Sequence, residues 1–146
     1  MSGDIRWSRL VRAIRQCDQW IHLHLADALE QFDLSERQFL FLELCALDER
    51  QLDQKQISDE LSQSPSVTSG VVESLRARGF VELVRSSQDR RRQLPALTAE
   101  GLSFYQAANL ATAKLRASSG LCEFIEALES IAPKLAEKES YRRNAA

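Results

Sequence analysis

Apolar residues between positions 5 and 32 recur at steps of three and four: Trp7, Leu10, Ile14, Cys17, Ile21, Leu25, Ala28 and Phe32. That spacing lines one face of a long helix. About 28 residues at about 1.5 Å each would span about 42 Å. A domain of this size cannot cover so long a stripe, so a partner subunit is the natural cover for the excess. Asp33 and Leu34 break the pattern, and the helix starts that follow share a grammar. Ser35 with Gln38 forms a capping box, with Leu34 and Phe39 at staple spacing, and opens a helix over 35–48. Asp53, Gln56 and the Leu52–Ile57 pair repeat the device and open a short helix to about Leu61.

Ser62-Gln63-Ser64 is a turn, and Ser64 caps a fourth helix with Pro65 at its first position. Val67, Val71, Val72 and Leu75 are its expected buried stripe, and Gly79 ends it with Phe80 folding back on Leu75. The β-prone runs Phe80–Arg85 and up to Leu97 flank a polar loop and predict a hairpin. Pro95 interrupts the second run and predicts a short ladder. Thr98 caps a fifth helix to about Ser118, Ser119-Gly120 breaks it, and a sixth begins near Leu121 with the stripe Leu121, Phe124, Ile125, Leu128 and Ile131. Pro133 is expected to kink or end that helix, and the tail from about Glu137 is polar and expected to fray.

Charge sharpens this outline. The 146 residues carry 19 basic and 21 acidic side chains, a net charge of −2, so nucleic-acid affinity must come from a local patch. Such a patch exists. From Arg76 to Arg92 the arginines at 76, 78, 85, 90, 91 and 92 outweigh Glu82 and Asp89 by +4, which leaves −6 for the rest. The longest apolar run, Phe39–Leu42, is far too short for a membrane span, and no signal-peptide core is present. Cys17, Cys45 and Cys122 are odd in number and widely spaced, as expected of reduced thiols in a cytoplasmic protein. No phosphate-binding glycine loop, zinc-hydrolase helix or nucleophile–histidine pairing appears, so the chain is not expected to be an enzyme or to hold a cofactor or metal.

A short helix, a turn, a second helix and a hairpin with a basic tip make the winged helix-turn-helix plan. The fold expected is mostly α with a small β-hairpin wing, flanked by N- and C-terminal dimerisation helices. The helix pair packs through Ile57, Leu61, Val67, Val71 and Leu75, and its second member offers its outer face to a major groove of double-stranded DNA. The competing reading of the arginine-rich hairpin is a solvated loop.

The sequence resembles the MarR family of bacterial transcriptional regulators. Asp89-Arg90-Arg91, followed by Leu97-Thr98 and Gly101, matches the family's wing signature, and Leu61–Ser66 with Leu75–Val81 resembles its recognition helix and exit. The resemblance implies one domain with a dimerisation helix over 1–33, the DNA-binding region over 34–98, dimerisation helices over 99–136 and a flexible tail over 137–146. It implies a homodimer on a pseudo-palindromic operator with half-sites ~34–36 Å apart, acting as a repressor released by a small-molecule effector, with small aromatic compounds the expected class. Carried over by position, Ser64, Ser66, Thr68 and Ser69 would face the major groove or its phosphates. Arg76, Arg90, Arg91 and Arg92 would contact DNA, with Arg90 or Arg91 at the minor groove, and Asp89 would brace the wing by pairing with an arginine. This chain departs from the family in placing Gly70 where many relatives carry Arg or Lys, which removes a guanine reader. A winged-helix protein-interaction module with weak DNA affinity is the alternative function.

For an effector site, Trp20, His24, Phe32, Phe39 and Phe41 gather near the junction where the family's pocket lies, with ordinary core packing as the competing reading. Cys17 and Cys45 fit buried inert thiols and Cys122 a more exposed one. His22 and His24, two apart on a helix, diverge and cannot chelate together. Arg6, Arg9, Arg12 and Arg15 form a drifting stripe expected to be solvated.

Overall fold

A computed structural model describes residues 6–117 and 120–144. Helix α1 (Trp7–Leu29) is followed by a single 3-10 turn (Glu30–Phe32). Asp33 reverses the chain in the left-handed region at φ +48°, with its amide bonded to the Glu30 carbonyl at 2.9 Å. An aspartate tolerates that conformation better than most residues. The long N-terminal helix is therefore as expected, shortened by its last turn.

Helix α2 (Glu36–Leu47) opens on the Ser35/Gln38 capping box, and α3 (Gln54–Glu60) on the Asp53/Gln56 one. In each, the cap side chain accepts the third amide while the glutamine side chain returns to the cap amide. Arg50 bonds both Asp48 and Glu60 and pins the link between the two helices. Helix α4 (Pro65–Ala77) starts at the Ser64 cap and ends in the expected reversal. The Phe80 amide bonds the Leu75 carbonyl at 3.0 Å and the Gly79 amide that of Arg76 at 2.9 Å, with Gly79 at φ +77°.

Strands β1 (Val81–Arg85) and β2 (Gln93–Leu97) pair antiparallel through five positions, with Pro95 opposite Leu83. The expectation of a shortened ladder at Pro95 is corrected. Hydrogen bonds from Thr98 to Phe80 and from Ser86 to Arg92 fix which pairs exchange amide bonds. Bonded and non-bonded pairs alternate, so Leu83–Pro95 falls on a non-bonded pair, and the missing proline amide removes nothing from the ladder.

Helix α5 (Ala99–Ala111) starts at the Thr98 cap and stops at Thr112, short of the predicted Ser118. Thr112 is buried, and its hydroxyl donates to the Asn109 carbonyl at 2.9 Å, a local bond that competes with continuing the helix. Helices α1 to α5 and the hairpin share one core, built from Leu29, Phe39, Phe41, Leu42, Ile57, Leu75, Tyr105 and Ala108. Aromatic rings tie α5 into it, with Phe104 stacked on Phe80 and edge-on to Phe32. The outward half of the α1 stripe is not covered by the described residues of its own unit: Trp7 is 74% exposed, and Leu10, Ile14 and Ile21 are exposed too.

A second compact unit holds α6 (Ala113–Arg116) and α7 (Leu121–Asn144). The predicted break at Ser119 lies outside the described residues, while Gly120 has φ +94°. The helix α7 continues through Pro133, so of the two expected outcomes the helix does not end there. A proline removes one amide bond, and the turns on either side carry the helix across it. Ile125, Leu128 and Ile131 of its stripe are exposed.

Candidate nucleic-acid interface

The orientation of α4 follows from what it buries. Thr68, Val71, Val72 and Leu75 face the core at spacings of three and four, against Ile57 of α3. Thr68 is wholly buried, with its hydroxyl unpartnered among the described residues. Its assignment to the groove-facing set is therefore corrected: it, and not half-buried Val67, heads the apolar stripe. Ser64 and Ser66 are exposed, with their hydroxyls 3.2 Å apart, and Ser69 is half-buried. The open surface of α4 therefore consists of Ser66, Gly70, Glu73, Arg76 and Ala77, with Ser64 and Pro65 at its tip.

Gly70 has nothing within 4 Å of where a Cβ would stand. Its substitution by alanine adds helix propensity without a clash, a gain of about 1 kcal/mol. Thermal unfolding of Gly70→Ala should move up by roughly 2–4 °C; an unchanged or lowered midpoint would contradict the exposed, unstrained helix drawn for this position.

The exit of α4 is fastened on two sides. Arg78 donates to the carbonyls of Asp33 at 2.6 Å and Phe32 at 3.0 Å, and its guanidinium lies over the Phe80 and Phe104 rings. On the other side, the Thr98 hydroxyl donates to the Gly79 carbonyl at 2.7 Å and accepts the Gly101 amide at 3.0 Å. A Cβ on Gly101 would sit 2.0 Å from the Phe80 carbonyl oxygen. Leu97-Thr98 and Gly101 in the sequence motif are thus the knot joining helix exit, wing and α5.

The wing loop is organised by a residue that sequence reasoning missed. Buried Ser86 accepts the amides of Gln88 and Asp89 at 3.2 and 3.3 Å, while its own amide bonds the Arg92 carbonyl. A serine next to another serine gave no signal of this role. Asp89 braces the tip differently from the expectation: its carboxylate accepts the Arg91 backbone amide at 3.0 Å, and no described ion pair joins it to a guanidinium. The wing's described ion pair runs from Arg92 to Asp53 in the α3 cap. Backbone bonding from Gln56, with Arg92 second, holds the Asp53 carboxyl below its ordinary range against the opposing effect of burial. Two of the six arginines in the basic stretch, Arg78 and Arg92, are therefore engaged within the chain. Arg76, Arg85, Arg90 and Arg91 stand exposed.

The aromatic set proposed for an effector does not assemble as a pocket. Phe39 and Phe41 are core residues, Phe41 with no exposure at all, and Phe39 packs on Tyr105. Phe32 is half-buried against Phe104, while Trp20 packs at a tilt against His24 on the surface of α1. Aromatic side chains at helical spacing were core here because α5 supplies matching rings. A cleft of about 390 Å³ lies elsewhere, between Leu44 of α2, Leu52, the wing residues Val84 and Leu94, and Leu102 of α5, and it takes in none of the five.

His22 pairs with Glu36 of α2 and not with His24, and the described residues hold no cluster of three metal-ligating side chains. Burial pushes the Cys45 thiol up to about 12, while Cys122 is exposed. The thiolate is the reactive form. At about pH 8 a maleimide should therefore modify Cys122 rapidly and leave Cys45 intact in the folded protein; comparable rates would overturn the burial of Cys45. No described helix is long and apolar enough to cross a membrane.

Comparison with known proteins agrees with this architecture. The chain resembles the structure of CouR from Rhodococcus jostii RHA1 bound to p-coumaroyl-CoA, at 22% identity over 89% of this chain and 96% of that one, with a TM-score of 0.77. It also resembles the S. aureus MepR–DNA complex, at 20% identity over 92% and 99% of the two chains and a TM-score of 0.65. CouR bound to a 23-mer DNA duplex gives 20% identity, 92% and 99% coverage and a TM-score of 0.69. At these identities the likeness is one of fold. No curated protein matches the chain by sequence. Residues 32–92 match the MarR family, a range that runs from the last residue of the 3-10 turn through α2, α3, α4 and β1 to Arg92 in the wing loop. The family match thus falls on the winged-helix region of this chain, consistent with a MarR-type winged-helix regulator.

Proposed function

We propose that the protein is a homodimeric, DNA-binding transcriptional regulator, a repressor that a small-molecule effector releases from a pseudo-palindromic operator. One observation carries the reading: the exposed start of α4 and the exposed tip arginines, Arg90 and Arg91, belong to one braced unit. A helix start for the major groove and arginines for the adjacent minor groove are the two contacts a winged helix makes with a duplex. The net charge of −2 makes that patch the source of the attraction. The DNA-bound structures of MepR and CouR support the reading. The p-coumaroyl-CoA held by CouR supports an effector, and of the five aromatic candidates Trp20, His24 and Phe32 are the ones that the core leaves partly open. The uncovered stripes of α1 and α7 support dimerisation.

Hydroxyl-radical footprinting on the DNA upstream of the protein's own gene tests this. Two protected minor-groove segments placed symmetrically about one centre, with two protomers per duplex, are expected. Protection of a single segment would rule out the dimeric mode. Absence of any protection would favour the interaction module, for which the bare face at Gly70 speaks.

A further inference from the structure

We propose that Arg92 is a positioning residue that clamps the wing to the α3 cap and so sets where Arg90 and Arg91 point, without touching DNA itself. The inference rests on the DNA-binding reading above and deepens it. One guanidinium nitrogen, Nη2, reaches both acceptors of the capping box: Asp53 Oδ2 at 2.5 Å and Gln56 Oε1 at 3.0 Å. Each of those side chains is already in use at the helix start. Asp53 Oδ1 accepts the Gln56 amide at 2.8 Å, and Gln56 Oε1 accepts the Asp53 amide at 2.9 Å. The box therefore holds its two side chains in fixed rotamers before the arginine arrives, and Asp53 has a free oxygen to offer. A charge-assisted bond to a pre-positioned carboxylate is stronger and more directional than one to a mobile surface acid.

The clamp sits where it controls the tip. The Arg92 carbonyl accepts the Ser86 amide at 3.0 Å, and the Arg92 amide donates to the Asp89 carbonyl at 2.9 Å. Ser86 in turn holds the amides of Gln88 and Asp89. Fixing Arg92 thus fixes both ends of the loop that bears Arg90 and Arg91. The base of the hairpin is held independently, by Val81 and Leu97 packed on the core and by the Thr98–Gly79 bond. Among the described residues, the bonds of Arg92 to Asp53 and Gln56 are the side-chain hydrogen bonds that join the loop end of the wing to α3.

A direct phosphate contact and a clamp leave different signatures, so Arg92→Ala and Asp53→Asn would be compared singly and together. Asparagine retains the helix cap, because its carbonyl oxygen can accept the Gln56 amide, but turns a donor toward Arg92. The clamp predicts that each variant weakens operator binding by roughly fivefold, that the double variant is no weaker than either alone, and that the salt dependence keeps its slope. A slope lowered by about one per arginine, with Asp53→Asn silent, would overturn the clamp and return Arg92 to the phosphate contacts. Additive losses would overturn it as well. Amide hydrogen exchange in the DNA-free protein gives an arm that does not need binding. Faster exchange at the Ser86 amide in both variants, with the global midpoint little changed, is the expected result; unchanged exchange contradicts the clamp. Should the unaltered protein bind no duplex, the DNA-binding reading falls while the exchange arm still decides the role of Arg92.

Discussion

Replacing Arg90 and Arg91 together with alanine is expected to weaken operator binding on the order of a hundredfold or more at moderate salt and to leave the dimer and its stability intact. Both side chains are exposed at the wing tip. The tip's shape comes from the Ser86 hydroxyl, the Asp89 carboxylate and the Arg92 clamp, none of which uses the Arg90 or Arg91 side chain. Alanine should therefore cost less than about 0.5 kcal/mol of folding stability, as at most surface positions without partners. A dimer presents four such arginines. If each neutralises about one phosphate, removing them lowers the salt slope by roughly three to four and removes attraction that the acidic remainder of the chain cannot replace. Arg76 and Arg85 remain in the variant, so weak binding without sequence preference should persist. Anisotropy titrations at several salt concentrations, paired with sedimentation to confirm the dimer, read both effects. Unaltered affinity with an unaltered slope would remove the wing from the interface.

The substitution Gly101→Ala should have the largest effect on stability. Its Cβ would lie 2.0 Å from the Phe80 carbonyl oxygen and 2.8 Å from the carbonyl carbon, distances no side-chain rotation can relieve because both atoms are backbone. Relief requires α5 to shift away from β1. That shift would stretch the Gly101–Thr98 and Thr98–Gly79 bonds on which the exit of α4 depends. A loss of at least about 3 kcal/mol is expected, equivalent to a fall in midpoint of roughly 6–12 °C for a chain of this size. The same substitution at Gly70 should act in the opposite direction, since that glycine faces open space. Thermal melts of the two variants side by side separate a glycine required by close approach from one that is not. A Gly101→Ala midpoint within about 2 °C of the parent would contradict the contact.

What could be read from the chain alone followed the range of the interaction. Both capping boxes, the serine cap of α4 with Pro65 and the reversal at Gly79 are motifs spanning four to six neighbouring residues, and each stands where the sequence places it. The features that were misplaced depend on distant partners. Arg78 looks like one more basic residue of the patch until the carbonyl of Phe32, 46 positions away, comes beside it. Arg92 reads as one more arginine of the wing, and nothing nearby in the sequence announces its bond to Asp53, 39 positions away. Thr68 falls in the groove-facing set when carried over by position, yet the helix phase that buries Val71, Val72 and Leu75 also buries it. Phe39 and Phe41 carry the composition expected of a pocket, and only their burial in the shared core, Phe39 against Tyr105 of α5, shows them to be packing residues. Local chemistry thus gave the frame of the interface, and tertiary contacts decided which side chains remain free to use it.

The most direct test of the central claim is fluorescence anisotropy of the purified protein with the duplex upstream of its own gene, against a scrambled duplex of equal length, from about 50 to about 200 mM salt. The account predicts a clear preference for the upstream duplex and a steep loss of affinity as salt rises. Equal, weak binding to both duplexes with a shallow slope would contradict it.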